Sequence, residues 1–139
     1  MTYKHRLTLP FVAIVFSMGM FTLPTFAGTA QKWVGTAEFG TLELVVIADQ
    51  AGIQELDYKF SEWKCGKFMS SAGGSIGAKI PFPVNDGAFS ITFPISPDQK
   101  QELTVSGAFE SATHAAGTWE AKTFGEVCTG SWKASAVTE

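Results

Sequence analysis

The last third of the chain alternates between apolar and polar residues with a period of two. Three segments carry the alternation, separated by a small-residue turn and a glycine-containing turn: 103–110, 118–122 and 127–134. Successive side chains leave opposite faces of a β-strand, so this period indicates strands with one buried face. No segment beyond residue 27 shows a helical period over a useful length. The pattern therefore predicts an all-β domain.

Five further segments have the composition of strands: 32–39, 41–47, 53–60, 75–80 and 89–93. The eight candidates recur at intervals of roughly ten residues, which is typical of an antiparallel sandwich or a small barrel. Four prolines suit crossovers between two sheets better than an uninterrupted meander: Pro81, Pro83, Pro94 and Pro97. The sequence therefore predicts an antiparallel β-sandwich of about eight strands, with a small up-and-down β-barrel as the alternative.

The phase of the alternation changes once. Apolar residues stand at even positions and then at odd positions, in the order Leu56, Tyr58, Phe60, Trp63, Cys65. A strand cannot change parity without an extra residue, so we expect a bulge or a strand end at Ser61 and Glu62. We also expect this shift to turn Trp63 away from the inward-facing residues that precede it.

The first 27 residues are typical of a cleaved signal peptide. Basic residues at positions 4–6 precede an apolar run over 7–23, and a small-x-small site ends at Ala27. The run contains a proline and a glycine and is short for a membrane span. We therefore divide the chain into a signal peptide, residues 1–27, and a single β-domain, residues 28–139, with cleavage after Ala30 as the runner-up. The expected location is secreted or periplasmic, with no membrane span after processing.

The charge balance argues against nucleic acid as a partner. The leader holds two of the ten basic residues and no acidic one, so eight lysines face 13 acidic side chains and the net charge is −5. Arg6, in the leader, is the only arginine of the chain. Arginine is the preferred fork for phosphates and guanine edges, so an acidic domain without it is a poor candidate for binding nucleic acid.

Two cysteines, Cys65 and Cys128, follow the leader. In an exported chain a single pair allows one internal connectivity, which predicts a Cys65–Cys128 disulfide. Closing a loop of this size would stabilise the fold by roughly 4 kcal/mol in the chain-entropy model. The alternative is two free buried thiols.

Residues that could carry catalysis are sparse after residue 27. The single histidine, His114, follows Ser111 in a small-residue turn, without a nucleophile elbow or an orienting motif. Glu55 and Asp57 share one strand face with Lys59, which is typical of a solvated surface. One histidine and two paired cysteines also leave no soft-metal site. We therefore expect no enzyme activity, no metal and no other cofactor.

The C-terminal motifs resemble those of small exported bacterial β-sandwich modules. These modules end in a Gly-x-Phe strand, a Gly-Thr-Trp strand and a Cys-Thr-Gly-x-Trp-x-Ala strand, which here are 107–109, 117–119 and 128–134. The resemblance covers about the last 55 residues. It implies the fold and export, and it brings no catalytic residue and no ligand.

The remaining enrichment is in aromatic residues, most of which fall in the inward phase and indicate a core of large rings. Trp63 stands after the phase change, so with Phe68, Met69 and Phe82 it is expected to form an exposed apolar binding patch. The predicted function is an exported, non-enzymatic binding or surface module that recognises an extracytoplasmic protein or a glycan. The alternative is a secreted or periplasmic enzyme inhibitor that presents the glycine-rich segment 66–77 as a loop.

Overall fold

The computed structural model describes residues 30–47, 50–66 and 68–138, and its account of residues 68–70 is limited to the backbone. The predicted signal peptide, residues 1–27, lies outside the described residues. The chain forms eight strands: β1 (Gln31–Ala37), β2 (Gly40–Val46), β3 (Gly52–Cys65), β4 (Phe68–Pro83), β5 (Ala88–Pro94), β6 (Glu102–Phe109), β7 (His114–Thr123) and β8 (Glu126–Ala136). Within the described ranges, no helix has the length and apolar character needed to cross a membrane.

All eight strands belong to one antiparallel sheet, in the order β4-β3-β2-β1-β8-β7-β6-β5. Strands that are consecutive in the chain pair with one another, except β4 and β5, and β1 also pairs with β8. The sheet is thereby nearly closed, with its two free edges on β4 and β5. The prediction of an all-β domain with eight antiparallel strands is confirmed. The single sheet takes the barrel-like form of the two architectures that the sequence allowed.

Three of the four prolines lie at the free edges of this sheet. Pro81 and Pro83 belong to β4, and Pro94 ends β5. Proline lacks the N–H group that a ladder needs, so it is tolerated on edge strands and excluded from central ones. The residues that favoured crossovers between two sheets therefore mark the opening in one sheet.

Tryptophan rings and glycines explain the C-terminal motifs. Trp119 lies against its cross-strand partner Gly130, where an added Cβ would overlap the indole ring. Trp132 pairs with Gly117 and reaches the next strand at Gly107, where a Cβ would again overlap the ring. The indole N–H of Trp132 donates to the carbonyl oxygens of residues 106 and 118, at 3.1 and 3.3 Å. Glycine is needed at positions 107 and 130 because the rings of Trp132 and Trp119 occupy the space that a side chain would fill.

The bulge predicted at Ser61 and Glu62 is confirmed. These two residues of β3 stand opposite Ser71 alone, and the backbone N–H of Glu62 donates to the Ser71 hydroxyl at 3.1 Å. The expected consequence for Trp63 is wrong. The extra residue restores the phase, so Trp63 and Cys65 continue the inward row that ends at Phe60, and both are buried.

The Cys65–Cys128 disulfide is confirmed, with the two Cα atoms 5.5 Å apart. It joins β3 to β8, which are separated in the sheet by β2 and β1. The β1–β2 hairpin turns at residues 38–39, level with Phe60 on one side and Trp132 on the other. Beyond that turn, the ends of β3 and β8 have no strand between them. The disulfide closes this notch in the sheet.

In the glycine-rich segment 66–77, expected to be a loop, Gly66 lies in a turn and residues 68–77 form the first part of β4. It pairs with β3 from Cys65↔Phe68 to Glu55↔Gly77. Its own sequence shows no alternation because its inward positions hold small residues such as Ala72 and Gly74. The strong alternation of β3 supplies the pairing template.

Candidate functional site

The four residues predicted to form an apolar patch do not come together. Trp63 is 2% exposed, and its ring centroid lies 5.7 Å from that of Trp119 inside the barrel. Phe82 packs partly buried against the core and pairs with Ile53, which precedes Trp63 on β3 by about 30 Å of strand. The side chains of Phe68 and Met69 lie outside the described residues. The expectation of an exposed Trp63 is wrong because the bulge turns it inward.

The structure points to the free edge of β4 instead. This strand pairs with β3 on one side, and apart from an isolated bridge between Asn85 and Ala88 no ladder joins it to β5 in the described part of the chain. An unpaired strand edge offers a row of backbone N–H and C=O groups to any extended chain that approaches it. Proteins usually protect such edges with prolines, lysines or bulges.

Protection of β4 is confined to its second half. Between Gly77 and Phe82 four residues stand opposite one residue of β3, which breaks the register, and this half also holds Lys79, Pro81 and Pro83. Residues 71–77 contain neither proline nor charge, and beyond the bulge opposite Ser71 their pairing with β3 is regular. We call residues 71–77 the open edge. The backbone of this half of β4 can therefore pair with another strand.

The neighbouring strand β5 overlaps only part of the open edge. β4 has 16 residues and β5 has seven. The ring of Tyr58, which pairs with Gly74, lies 5.1 Å from the ring of Phe93, the last residue of β5 before Pro94. The end of β5 is therefore level with the middle of the open edge, and the part of β4 nearer its start lies past β5.

A shallow groove of about 450 Å³ runs beside the open edge. Its lining combines two aromatic side chains of β3 with small residues of β4: Tyr58, Lys59, Phe60, Ser61, Ser71, Ala72, Gly73 and Gly74. The groove exists because Ala72 and the two glycines carry almost no side chain over the rings. Burial raises the pKa of the Tyr58 phenol above its ordinary value. A tyrosine phenol is protonated at neutral pH with its ordinary pKa of about 10, so Tyr58 offers an O–H donor at the groove.

The fit between Gly74 and Tyr58 gives a testable difference between two glycines of β4. A Cβ at Gly74 would lie 3.0 Å from the Tyr58 hydroxyl oxygen, whereas a Cβ at Gly77 would meet nothing closer than 3.9 Å. We expect Gly74→Ala to lower the free energy of unfolding by about 1 kcal/mol, because Tyr58 is packed and must move. Gly77→Ala should raise it by about 0.5 kcal/mol through the less flexible unfolded chain. Urea unfolding checks both, and equal stability of the two variants would contradict the groove geometry.

His114 is the first residue of β7, directly after the turn from β6, and is exposed. Its Nδ1 lies 2.9 Å from the Thr113 hydroxyl oxygen and 3.5 Å from that of Ser111. These contacts fix a turn, and none of them is to a carboxylate that could orient the ring as a base. Across the described ranges, no three residues of the types His, Cys, Asp and Glu are grouped closely enough to hold a metal ion.

No family model, curated protein or solved structure matches this chain. The candidate site therefore depends on its geometry. Sequence reasoning missed it because glycines and serines carry no periodic signal. The signal that was available is a run without charge or proline over residues 70–77, directly before a segment that contains both.

Proposed function

We propose that this protein is an exported, non-enzymatic module that binds another protein by pairing an extended segment of it with the open edge of β4. The observation that carries the proposal is the unprotected edge at residues 71–77 beside the groove over Tyr58 and Phe60. In strand addition, backbone hydrogen bonds supply affinity and pockets for alternate side chains supply specificity. The open edge supplies the backbone groups, and the groove supplies a pocket for a side chain.

A protein partner fits this site better than a glycan. Sugars bind by stacking on aromatic faces, but the rings beside the groove are almost entirely covered, with Tyr58 9% and Phe60 3% exposed. The feature that is free is backbone, and its complement is another backbone. The inhibitor alternative loses its basis, since residues 68–77 are held by β3 and do not protrude as a loop.

Two features support export. The disulfide is consistent with an oxidising, extracytoplasmic compartment. The pattern of residues 1–27 supports a secreted or periplasmic destination within that class. An open strand edge would meet its partner segment there.

The test uses peptides selected from a displayed random library on the immobilised, disulfide-bonded protein. In a paired strand every second N–H points to the neighbour, so methylating alternate amide nitrogens of a selected peptide should have opposite results for the two parities. One set should weaken binding about 100-fold, given about 1 kcal/mol for each lost bond, and the other should leave it nearly unchanged. Calorimetry measures both.

A variant of the protein tests whether the peptides bind at the groove beside the open edge. Gly74→Val adds a branched side chain under Tyr58 and fills the groove, so it should abolish binding of the selected peptides. Ser131→Val, on the exposed outer face of β8, adds similar bulk away from the groove and should bind normally. Thermal unfolding confirms that both variants are folded. Peptides that bind Gly74→Val normally, or that tolerate both methylation patterns, would refute the proposal.

A further inference from the structure

Three charged residues of β3 stand behind the open edge in a fixed order. Glu55 pairs with Gly77, Asp57 with Ser75 and Lys59 with Gly73, all with outward-facing side chains. Glu55 and Asp57 are half-buried and Lys59 is exposed. Among the described side chains, the ion pairs are Lys32–Glu43 and Lys122–Glu120, so none of these three charges has a salt-bridge partner within that set.

The small residues of β4 leave these charges open to a strand on the far side. Two of the three outward positions on β4 are glycines, and the third, Ser75, donates its hydroxyl to a Glu55 carboxylate oxygen at 2.7 Å. Neighbouring strands lie about 4.8 Å apart, so a strand added to β4 would lie about 10 Å from β3. Long charged side chains on the added strand can meet those of β3 across that distance.

The inward positions of the added strand have a different environment. Residues opposite Ala72 and Gly74 would enter the groove over Tyr58 and Phe60, and the residue opposite Ile76 would lie beside the core. Apolar side chains of moderate size suit these three positions, because they would lie on the core side of the sheet, next to the small residues of β4. Along the partner segment, outward-facing charged residues therefore alternate with inward-facing apolar residues.

On the basis of the proposed function, we infer that the partner segment runs antiparallel to β4 and carries basic, basic and acidic outward side chains in that order from its N-terminal end, with apolar residues between them. Every pair of strands in this sheet is antiparallel, and antiparallel ladders are slightly more stable than parallel ones. In that direction the first outward residue lies by Glu55, the second by Asp57 and the third by Lys59.

Three peptides in which charged residues alternate with valine test the order. Acetyl-Lys-Val-Lys-Val-Glu-Val-amide places each charge beside its opposite. Acetyl-Glu-Val-Glu-Val-Lys-Val-amide places like charges together, and acetyl-Val-Glu-Val-Lys-Val-Lys-amide would match the charges only in a parallel strand. At low salt the first peptide should bind about tenfold tighter than the other two, as expected for a few partly screened ion pairs. Raising the salt concentration should reduce the difference.

The double variant Glu55→Gln, Asp57→Asn should bring the first and second peptides to within about twofold of each other. Equal binding of the three peptides by the wild type would overturn the charge order while leaving the proposed function standing. Tighter binding of the third peptide than of the first would overturn the antiparallel direction. Failure of all three, with library peptides that still require alternate amide N–H groups, would also overturn this inference alone.

Discussion

Removing the disulfide by Cys65→Ala with Cys128→Ala is expected to lower the free energy of unfolding by about 4 kcal/mol. The bridge closes a loop with a sequence separation of 63 residues, and the chain-entropy model assigns roughly this value to a loop of that length. It also holds together the ends of β3 and β8 across the notch above the β1–β2 turn, where no strand joins them. Guanidinium unfolding of the oxidised protein and the variant measures the difference.

Reduced wild-type protein is the control. It keeps both sulfur atoms in the core, where Cys65 is fully buried, and lacks only the cross-link. If the cross-link is the main term, the reduced protein should lose nearly as much stability as the double variant. A loss below about 1 kcal/mol on reduction would show that the notch is held closed by packing, and that the chain-entropy account does not apply here.

Trp132→Ala is expected to lower the free energy of unfolding by about 4 kcal/mol, the usual effect of truncating a buried tryptophan. The ring is 1% exposed and covers β7 at Gly117 and β6 at Gly107. Gly107→Ala should lower stability by about 3 kcal/mol on its own, because the added methyl group overlaps the ring.

The two substitutions are expected to be strongly non-additive. With Trp132→Ala already present, most of the effect of Gly107→Ala should vanish, leaving the part that arises from the nearby carbonyl oxygen of Ala116. Gly130→Ala is the matched control: the ring over Gly130 belongs to Trp119, so its effect should persist when Trp132 is truncated. A double-mutant cycle by urea unfolding measures both couplings, and additive effects at Gly107 would contradict the packing described.

Local periodicity explains what could be predicted from the sequence. The inward residues of β3 and of β6 to β8 are the ones that alternation selects, since the side-chain period of a strand is visible in the chain itself. The bulge at Ser61 and Glu62 was also predictable, because a change of parity between Phe60 and Trp63 requires one extra residue.

Long-range pairing explains what could not be predicted. The closure of the sheet depends on β1 meeting β8, which are distant in the chain, and proline is compatible both with a free edge and with a crossover. The direction of Trp63 depends on how many residues of β4 stand opposite the bulge, a number that β3 alone does not contain. The open edge was missed for a related reason: Gly73 and Gly74 become informative only once β3 is known to lie on one side of them and nothing on the other.

The bulge places two residues, Ser61 and Glu62, where a regular strand would have one. Ser61 and Glu62 are exposed, and substitutions there leave the count unchanged. Deleting either one would leave a single residue opposite Ser71, so Trp63 would stand two positions after Phe60 and would stay inward, as would Cys65. At this point the gene should therefore tolerate missense changes and also a single-codon deletion, which would remove the bulge and leave the Cys65–Cys128 disulfide in place.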